Sequence, residues 1–254
     1  MTVGTRAWAE RVIPRASFPE PQTLRLREPT GHDELSLDGV DTRAAARLLA
    51  RLADPPGAVA ALSASDRDRL LAVLHRGLWG DRIVSSLECP ACAAPYDLSF
   101  TLSELQQQIE STRAPGTVIA LRTVQDSAGA VIQLPDAEAE DAAALGGREA
   151  GLALLAAAML GDHGEDPADL DERLDALAPL LDVDLEAPCA ECGHPALARF
   201  DIQTFTLQRL LDEREAVLGE VHELASGYHW GLSEILGLPR GVRRAFALRL
   251  GGGA

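Results

Sequence analysis

Two short cysteine motifs set one hundred positions apart constrain this chain more than any other feature. "LECPACAAPY" (Leu87 to Tyr96) and "APCAECGHPA" (Ala187 to Ala196) hold all four cysteines: Cys89, Cys92, Cys189 and Cys192. A CxxC turn aims two sulfurs at one point, and two such turns complete a tetrahedral thiolate set with no coordination position left open. A site of that kind is structural, because catalytic zinc keeps a place for water. Positions 93 to 188, 96 residues, lie between the inner cysteines. A metal held by both pairs therefore clamps remote parts of a folded chain, and Zn2+ is the cofactor expected on Cys89, Cys92, Cys189 and Cys192.

Two other readings of the cysteines stay open: redox work, and no shared role. A redox CxxC follows a strand and opens a helix, with one low-pKa thiolate at the helix N-terminus. Pro95 and Pro195, each leading into a strand-like stretch, fit a turn between two strands better. His194, beside the second motif, could replace one thiolate, but with four cysteines present it is expected as a solvated or outer residue.

The motifs are the ends of a longer correspondence. A shift of one hundred also matches Pro95 with Pro195, Phe100 with Phe200, and, in kind, Leu102 with Ile202 and Leu105 with Phe205. "YDLSFTL" and "ALARFDI" read as the returning arms of hairpins. Upstream, "TLRLREPTGHDELSLDG" and "AVIQLPDAEAEDAAAL" share the order of strand, proline and acidic helix start. Two helical segments follow in each half, Asp41 to Ala53 with Ser63 to Gly80, and Arg148 to Leu160 with Asp166 to Leu181. They are divided by the breaker-rich "DPPG" and "GDHGED". Between the halves, Thr112 to Leu134 reads as two strands around a "QDSAG" turn.

The fold expected is α+β and mostly helical: a duplicated strand-helix-helix-knuckle unit, joined by a zinc-ribbon-like four-cysteine site, plus a C-terminal helical module. The segments are an N-terminal extension (1–22), the first half (23–103), a linker with the start of a β-hairpin (104–129), the second half (130–203) and the C-terminal module (204–254). In that module Leu207, Leu210, Leu211, Val217, Leu218, Val221 and Leu224 predict one long amphipathic helix from Thr204 to Trp230, ended by Gly227. A short helix from Ser233, a break at Pro239 and a last helix led by Arg240, Arg243 and Arg244 complete it.

Composition removes several functions. At 254 residues and 46% apolar the chain can bury a core of real size. The N-terminus lacks the apolar block of a signal peptide. The longest apolar run, "AGLALLAAAMLG", falls short of the roughly 18 residues of a membrane span. A cytoplasmic protein with no membrane partner is expected. The net charge of −16 opposes nucleic-acid binding. With no phosphate loop, HExxH or GxSxG, neither an enzyme nor a small-molecule substrate is expected.

Three stretches carry a resemblance. "LRLREPTGHDE", "LWGDRIVSSLECPAC" and "EVHELASGYHWGLSEILGLPRGVRRAFALRL" together resemble the baseplate hub assembly chaperone family of T-even-like phages, relatives of which accompany phage-tail-like contractile injection systems. The resemblance implies a non-enzymatic, zinc-stabilised assembly protein, chaperone or structural component, whose partners are baseplate or hub proteins. It implies partner-binding roles for Tyr228, Trp230, Ile235, Leu238 and Pro239. The competing classes are a zinc-ribbon nucleic-acid-binding regulator, using the C-terminal arginines, and a CxxC thiol oxidoreductase.

Overall fold

A computed structural model describes residues 24–54, 58–112, 118–120, 123–125, 131–160 and 170–251. The expected N-terminal extension, the link at 161–166 and most of the "DPPG" and "QDSAG" turns lie outside these residues.

In the first half, β1 (Arg25–Leu26) pairs antiparallel with β2 (Ala53–Asp54), and α1 (Gly31–Leu35) and α2 (Thr42–Leu52) lie between them. Helix α2 starts where the Asp41 carboxylate accepts the Ala44 N–H at 2.7 Å, a conventional N-cap. Its helix formers Ala, Leu and Arg bury one stripe, Ala44, Ala45, Leu48, Leu49 and Leu52. Helix α3 (Ala64–Trp79) is capped by Ser63 and stops at Gly80, whose φ of 94° suits only glycine well. Leu70, Leu71 and Leu74 fall on its inner face as expected and are 1%, 0% and 0% exposed. Each such leucine contributes about 1.5–3 kcal/mol of burial. Strands β3 (Arg82–Glu88) and β4 (Pro95–Thr101) then form the first hairpin, and α4 (Leu102–Ser111) follows directly.

The middle of the chain departs from expectation. In place of two strands there are three, β5 (Val118–Ala120), β6 (Thr123–Gln125) and β7 (Val131–Gln133), in one antiparallel sheet. The first expected strand doubles back: Ile119 pairs with Val124, and Val124 with Ile132. Val124 and Ile132, both 0% exposed, seed a second core with Leu160, Leu170 and Leu177. Around it lie α5 (Ala137–Leu145), α6 (Arg148–Leu160) and α7 (Leu170–Leu177), followed by the second hairpin, β8 (Asp182–Glu186) and β9 (Leu197–Asp201).

The expected long helix is two helices, α8 (Ile202–Asp212) and α9 (Arg214–Tyr228), separated at Glu213. The terminator also differs from the one the sequence suggests. His229, with φ 58°, closes α9, and Gly227 instead admits Leu250, whose Cδ1 would lie 2.6 Å from an added Cβ. Helices α10 (Leu232–Gly237) and α11 (Arg240–Gly251) complete the chain. The divisions expected after 103 and 203 fall inside α4 and α8, each of which continues from its hairpin.

The main core joins α2, α3 and α8 to the roots of both hairpins, through Leu49, Leu71, Ile83, Phe200, Ile202 and Leu207. Charge also crosses between the halves. Arg67, 2% exposed, pairs with Glu140 of α5, Asp68 accepts the Leu181 N–H at 2.9 Å, and the Ser65 hydroxyl donates to the Pro179 carbonyl at 2.8 Å. The architecture is thus α+β, mostly helical, with small antiparallel sheets. Among the described residues no helix is long and apolar enough to cross a membrane.

Candidate metal centre

Each hairpin carries its CxxC at the tip, where the chain reverses. In the first, the Cys89 N–H donates to the Ala94 carbonyl at 3.0 Å and the Ala93 N–H to the Cys89 carbonyl at 2.8 Å. In the second, Cys189 bonds His194 at 3.0 Å and Gly193 bonds Cys189 at 2.9 Å in the same way. The turns need a left-handed residue after the second cysteine: Ala93 has φ 56° and Gly193 φ 69°. Glycine takes that conformation freely, whereas alanine is held there at a cost of about 1–2 kcal/mol.

The strands below repeat the relationship residue for residue. Ile83 faces Phe100, and Val183 faces Phe200; Arg82 faces Thr101, and Asp182 faces Asp201. The Leu102 N–H donates to Asp81 at 2.8 Å, and the Ile202 N–H to Leu181 at 3.0 Å. Every one of these partners is shifted by one hundred. The matched phenylalanines meet edge to face, with Phe100 and Phe200 centroids 5.0 Å apart at 85°. That contact turns the hairpins toward each other and brings their tips together.

All four sulfurs lie within 4.8 Å of one another. Cys89 Sγ is 3.6 Å from Cys192 Sγ, and Cys92 Sγ is 3.8 Å from Cys189 Sγ. A tetrahedral site with metal–sulfur bonds of about 2.3 Å has sulfurs about 3.8 Å apart, so the donor set fits such an ion. Cys89 and Cys189 are buried, while Cys92 and Cys192 are exposed.

The electrostatics favour a cation as well. Burial disfavours the Cys89 thiolate, but the Ala91 and Cys92 amides and the Cys192 and Cys92 thiols outweigh it and bring that thiol down to about 6. The Ala94 amide favours a Cys92 thiolate, yet Cys192, burial, Cys89 and Cys189 push the group up to about 12. Once one sulfur is charged, its neighbours resist ionisation. A divalent cation removes that resistance and lets all four act as thiolates. His194 contributes backbone only: its N–H bonds Cys192 and its carbonyl accepts Cys189.

The five residues singled out in the C-terminal module lie close together but serve different contacts. Tyr228 stacks on Trp230 at 4.9 Å, and both meet Phe246 edge to face. Ile235 is 0% exposed, in a small core with Leu224 and Ala247. Leu238 and Pro239 are half-buried, and Pro239 forms a β-bridge with Thr30.

That bridge belongs to a connection the sequence reading missed. The Arg240 N–H donates to the Pro29 carbonyl at 2.9 Å, and the Gly241 N–H to Glu28 at 2.6 Å. Arg240 and Arg243 each donate to one oxygen of Glu34 at 2.5 Å, and all three side chains are nearly dry. Glu220 takes Arg243 at 2.6 Å and Arg244 at 3.2 Å, while Glu213 takes Arg240, Arg244 and the Trp79 indole. Three carboxylates thus balance three guanidiniums. The available signal was "GHDE" early and "RGVRR" late, with nothing in the spacing to pair them.

The fold and the cluster define an α+β chain with four cysteines placed to hold one metal ion. No family model, curated protein or solved structure matches it.

Proposed function

We propose that this chain is a non-enzymatic assembly protein, chaperone or structural component, acting on baseplate or hub proteins of a phage-tail-like contractile particle. Zn2+ on Cys89, Cys92, Cys189 and Cys192 would fasten its halves. The observation that carries the reading is the meeting of two of the stretches that bear the resemblance. "LRLREPTGHDE" and "LPRGVRR" form one unit through Glu28, Glu34, Arg240 and Arg243, although Glu34 and Arg240 are 206 positions apart. Four sulfurs around one point leave no position for a substrate, which supports a structural role for the metal.

The duplicated unit belongs to the same proposal. The order β1, α1, α2, α3, β3, β4, α4 is repeated as β7, α5, α6, α7, β8, β9, α8, with β2 and a short 3-10 turn as additions in the first copy. The shared hairpin register supports it. The competing readings have less to rest on. Arg240, Arg243 and Arg244 face carboxylates of their own chain, and each CxxC sits between strands, not before a helix.

The C-terminal module still exposes apolar side chains, Leu232 at 60% and Leu248 at 75%. These, with the open edges of Tyr228 and Trp230, are the docking surface. The test is co-expression with baseplate and hub genes encoded beside this one, followed by affinity purification. The wild-type chain should retain a baseplate or hub component, and the Leu232→Asp, Leu248→Asp variant should lose it while keeping its metal. Failure of the wild-type chain to retain any such component would reject the assembly reading.

A further inference from the structure

A groove of about 780 Å³ runs between the two hairpins above α8, and neither Leu232 nor Leu248 lines it. Its lining shows which part of each hairpin borders it. β3 contributes the consecutive positions 82–85 and β9 the consecutive positions 198–201, whereas β4 contributes only the alternate residues Leu98 and Phe100, and β8 none. Successive residues of a strand point to opposite faces, so a strand that lines a groove with consecutive residues presents its edge there. Among the described residues β3 pairs only with β4, and β9 only with β8. Both edges therefore carry backbone N–H and C=O groups with no ladder partner.

The groove also holds a guanidinium with no direct ion pair among the described residues. The Arg209 guanidinium lies 4.6 Å over the Trp79 ring, with no carboxylate among the described residues in ion-pair contact. Burial holds it below the usual arginine value; the Glu213 carboxylate acts against that and Arg240 adds to it. The other charged groups of the lining have hydrogen-bond or ion-pair partners. Arg82 donates to Ser99 at 3.0 Å, Arg199 pairs with Asp182 at 2.5 Å, Asp201 caps α8, and Asp212 accepts Gln208 at 2.8 Å. Arg82 is exposed to water, so Arg209, half-buried and without a direct ion pair, is the guanidinium of the lining that gains most from one incoming carboxylate. A run of acids would be repelled by the rest of the molecule.

Size sets the length of the occupant. With a rise of about 3.3 Å, a strand spacing of about 4.8 Å and a layer depth of about 10 Å, one extended residue fills roughly 160 Å³. The groove holds about five such residues on that measure, which matches the 5 residues of β9.

We propose that this groove receives an extended segment of a partner polypeptide that adds as a strand to the edge of β3 or β9, lays apolar side chains on Phe100, Phe200 and Phe205, and sets a single carboxylate against Arg209. Strand addition of this kind takes affinity from main-chain hydrogen bonds and selectivity from alternate side chains. The site does not rest on the baseplate reading, though it uses Phe205 and Arg209 of α8, at the start of the C-terminal module.

The probe is a pool of acetylated, amidated heptapeptides with glutamate fixed at the centre and Val, Ile, Thr or Phe elsewhere, selected on the immobilised full chain. The best binder is remade with central glutamine and with alternate residues N-methylated, and each form is titrated by fluorescence anisotropy. Glutamate to glutamine should weaken binding about tenfold or more, as loss of a charge-assisted hydrogen bond does. Arg209→Gln should weaken the glutamate peptide equally and leave the glutamine peptide unchanged. N-methylation that blocks the pairing edge should abolish binding, and Leu248→Asp should have no effect. The proposal is overturned if no heptapeptide is selected, if glutamate and glutamine peptides bind alike, or if neither set of N-methyl groups matters. The peptide comparison on the wild-type chain decides the charge question even if Arg209→Gln fails to fold.

Discussion

Replacing Glu34 by glutamine should detach the C-terminal module from the first half of the chain. The Glu34 side chain is 2% exposed, and its partners Arg240 and Arg243 are 4% and 0% exposed. Removing one member of a buried ion pair costs about 3–5 kcal/mol, because the remaining charge has lost its counterion without regaining water. Glu220 still reaches Arg243 at 2.6 Å, and Glu213 still contacts Arg240, so the lower end, about 3 kcal/mol, applies here. With a urea slope of about 3 kcal/mol per molar, the unfolding midpoint should fall by about 1 M. The double variant Glu34→Leu, Arg243→Leu removes one charge of each sign and should recover most of the loss, since apolar replacement of a buried pair is often neutral. The assay is urea unfolding of the full metal-loaded chain, followed by circular dichroism. A midpoint shift below about 0.3 M for Glu34→Gln, or a double variant no better than the sum of its single substitutions, would refute the reasoning.

Three further predictions concern other parts of the molecule. Cys189→Ser should take the metal content, measured by plasma mass spectrometry, from about one ion per chain toward zero and destabilise the contact between the hairpins; unchanged metal content would exclude the four-sulfur site. Gly31→Ala should cost about 1–3 kcal/mol, because the new Cβ would lie 2.7 Å from Leu236 Cδ2 and 3.1 Å from its Cα; an unchanged melting temperature would show that α1 and α10 can separate freely. Burial pushes the Asp68 carboxyl up to about 7, so the folded chain keeps a proton that the unfolded chain releases near 4. That contribution is greatest at low pH and is lost as pH rises through 7, by about 4 kcal/mol in all. His75, whose ring nitrogens have no hydrogen-bond partner, is held at about 4 by burial, then by Arg209 and Arg76, and acts in the opposite sense as pH falls below 6.5. Asp68→Asn keeps an acceptor for the Leu181 N–H and removes only the first effect, so its stability relative to wild type should rise from pH 5 to pH 8 in urea titrations; a constant difference would refute the assignment.

The hairpins were legible in the sequence because a CxxC turn followed by proline leaves the backbone few alternatives, and because Phe100 and Phe200 marked the shared register. Even there, Gly193 announces its left-handed turn and Ala93 does not. The break between α8 and α9 was not legible. No proline or glycine stands at Glu213, and the apolar residues keep helical spacing across it. Its cause is tertiary: the Glu213 carboxylate is taken by Trp79, Arg240 and Arg244. The acidic start "GHDE" hid a similar division of labour. Asp33 accepts the Thr30 N–H at 2.8 Å as a local cap, whereas the adjacent Glu34 turns inward to arginines that local pattern cannot locate. The third strand of the middle sheet was missed because "TVIALRTVQ" passes for one strand, and local pattern does not show that Ile119 pairs back with Val124.

The 206 positions between Glu34 and Arg240 also set a schedule. At about 5–20 residues per second, a ribosome needs roughly 10–40 s to travel from one to the other. Through that interval Glu34 has no guanidinium to meet, and the Pro29 carbonyl and Glu28 carboxylate wait for the N–H groups that open α11. A carboxylate in that position keeps its hydration, so the first half stays open at one side while the hairpins are being made. Closure comes with the last helix. A chain cut short by a premature stop would present a wet, unpaired Glu34 and an unfilled groove over α1, the kind of surface that chaperones and proteases sort by.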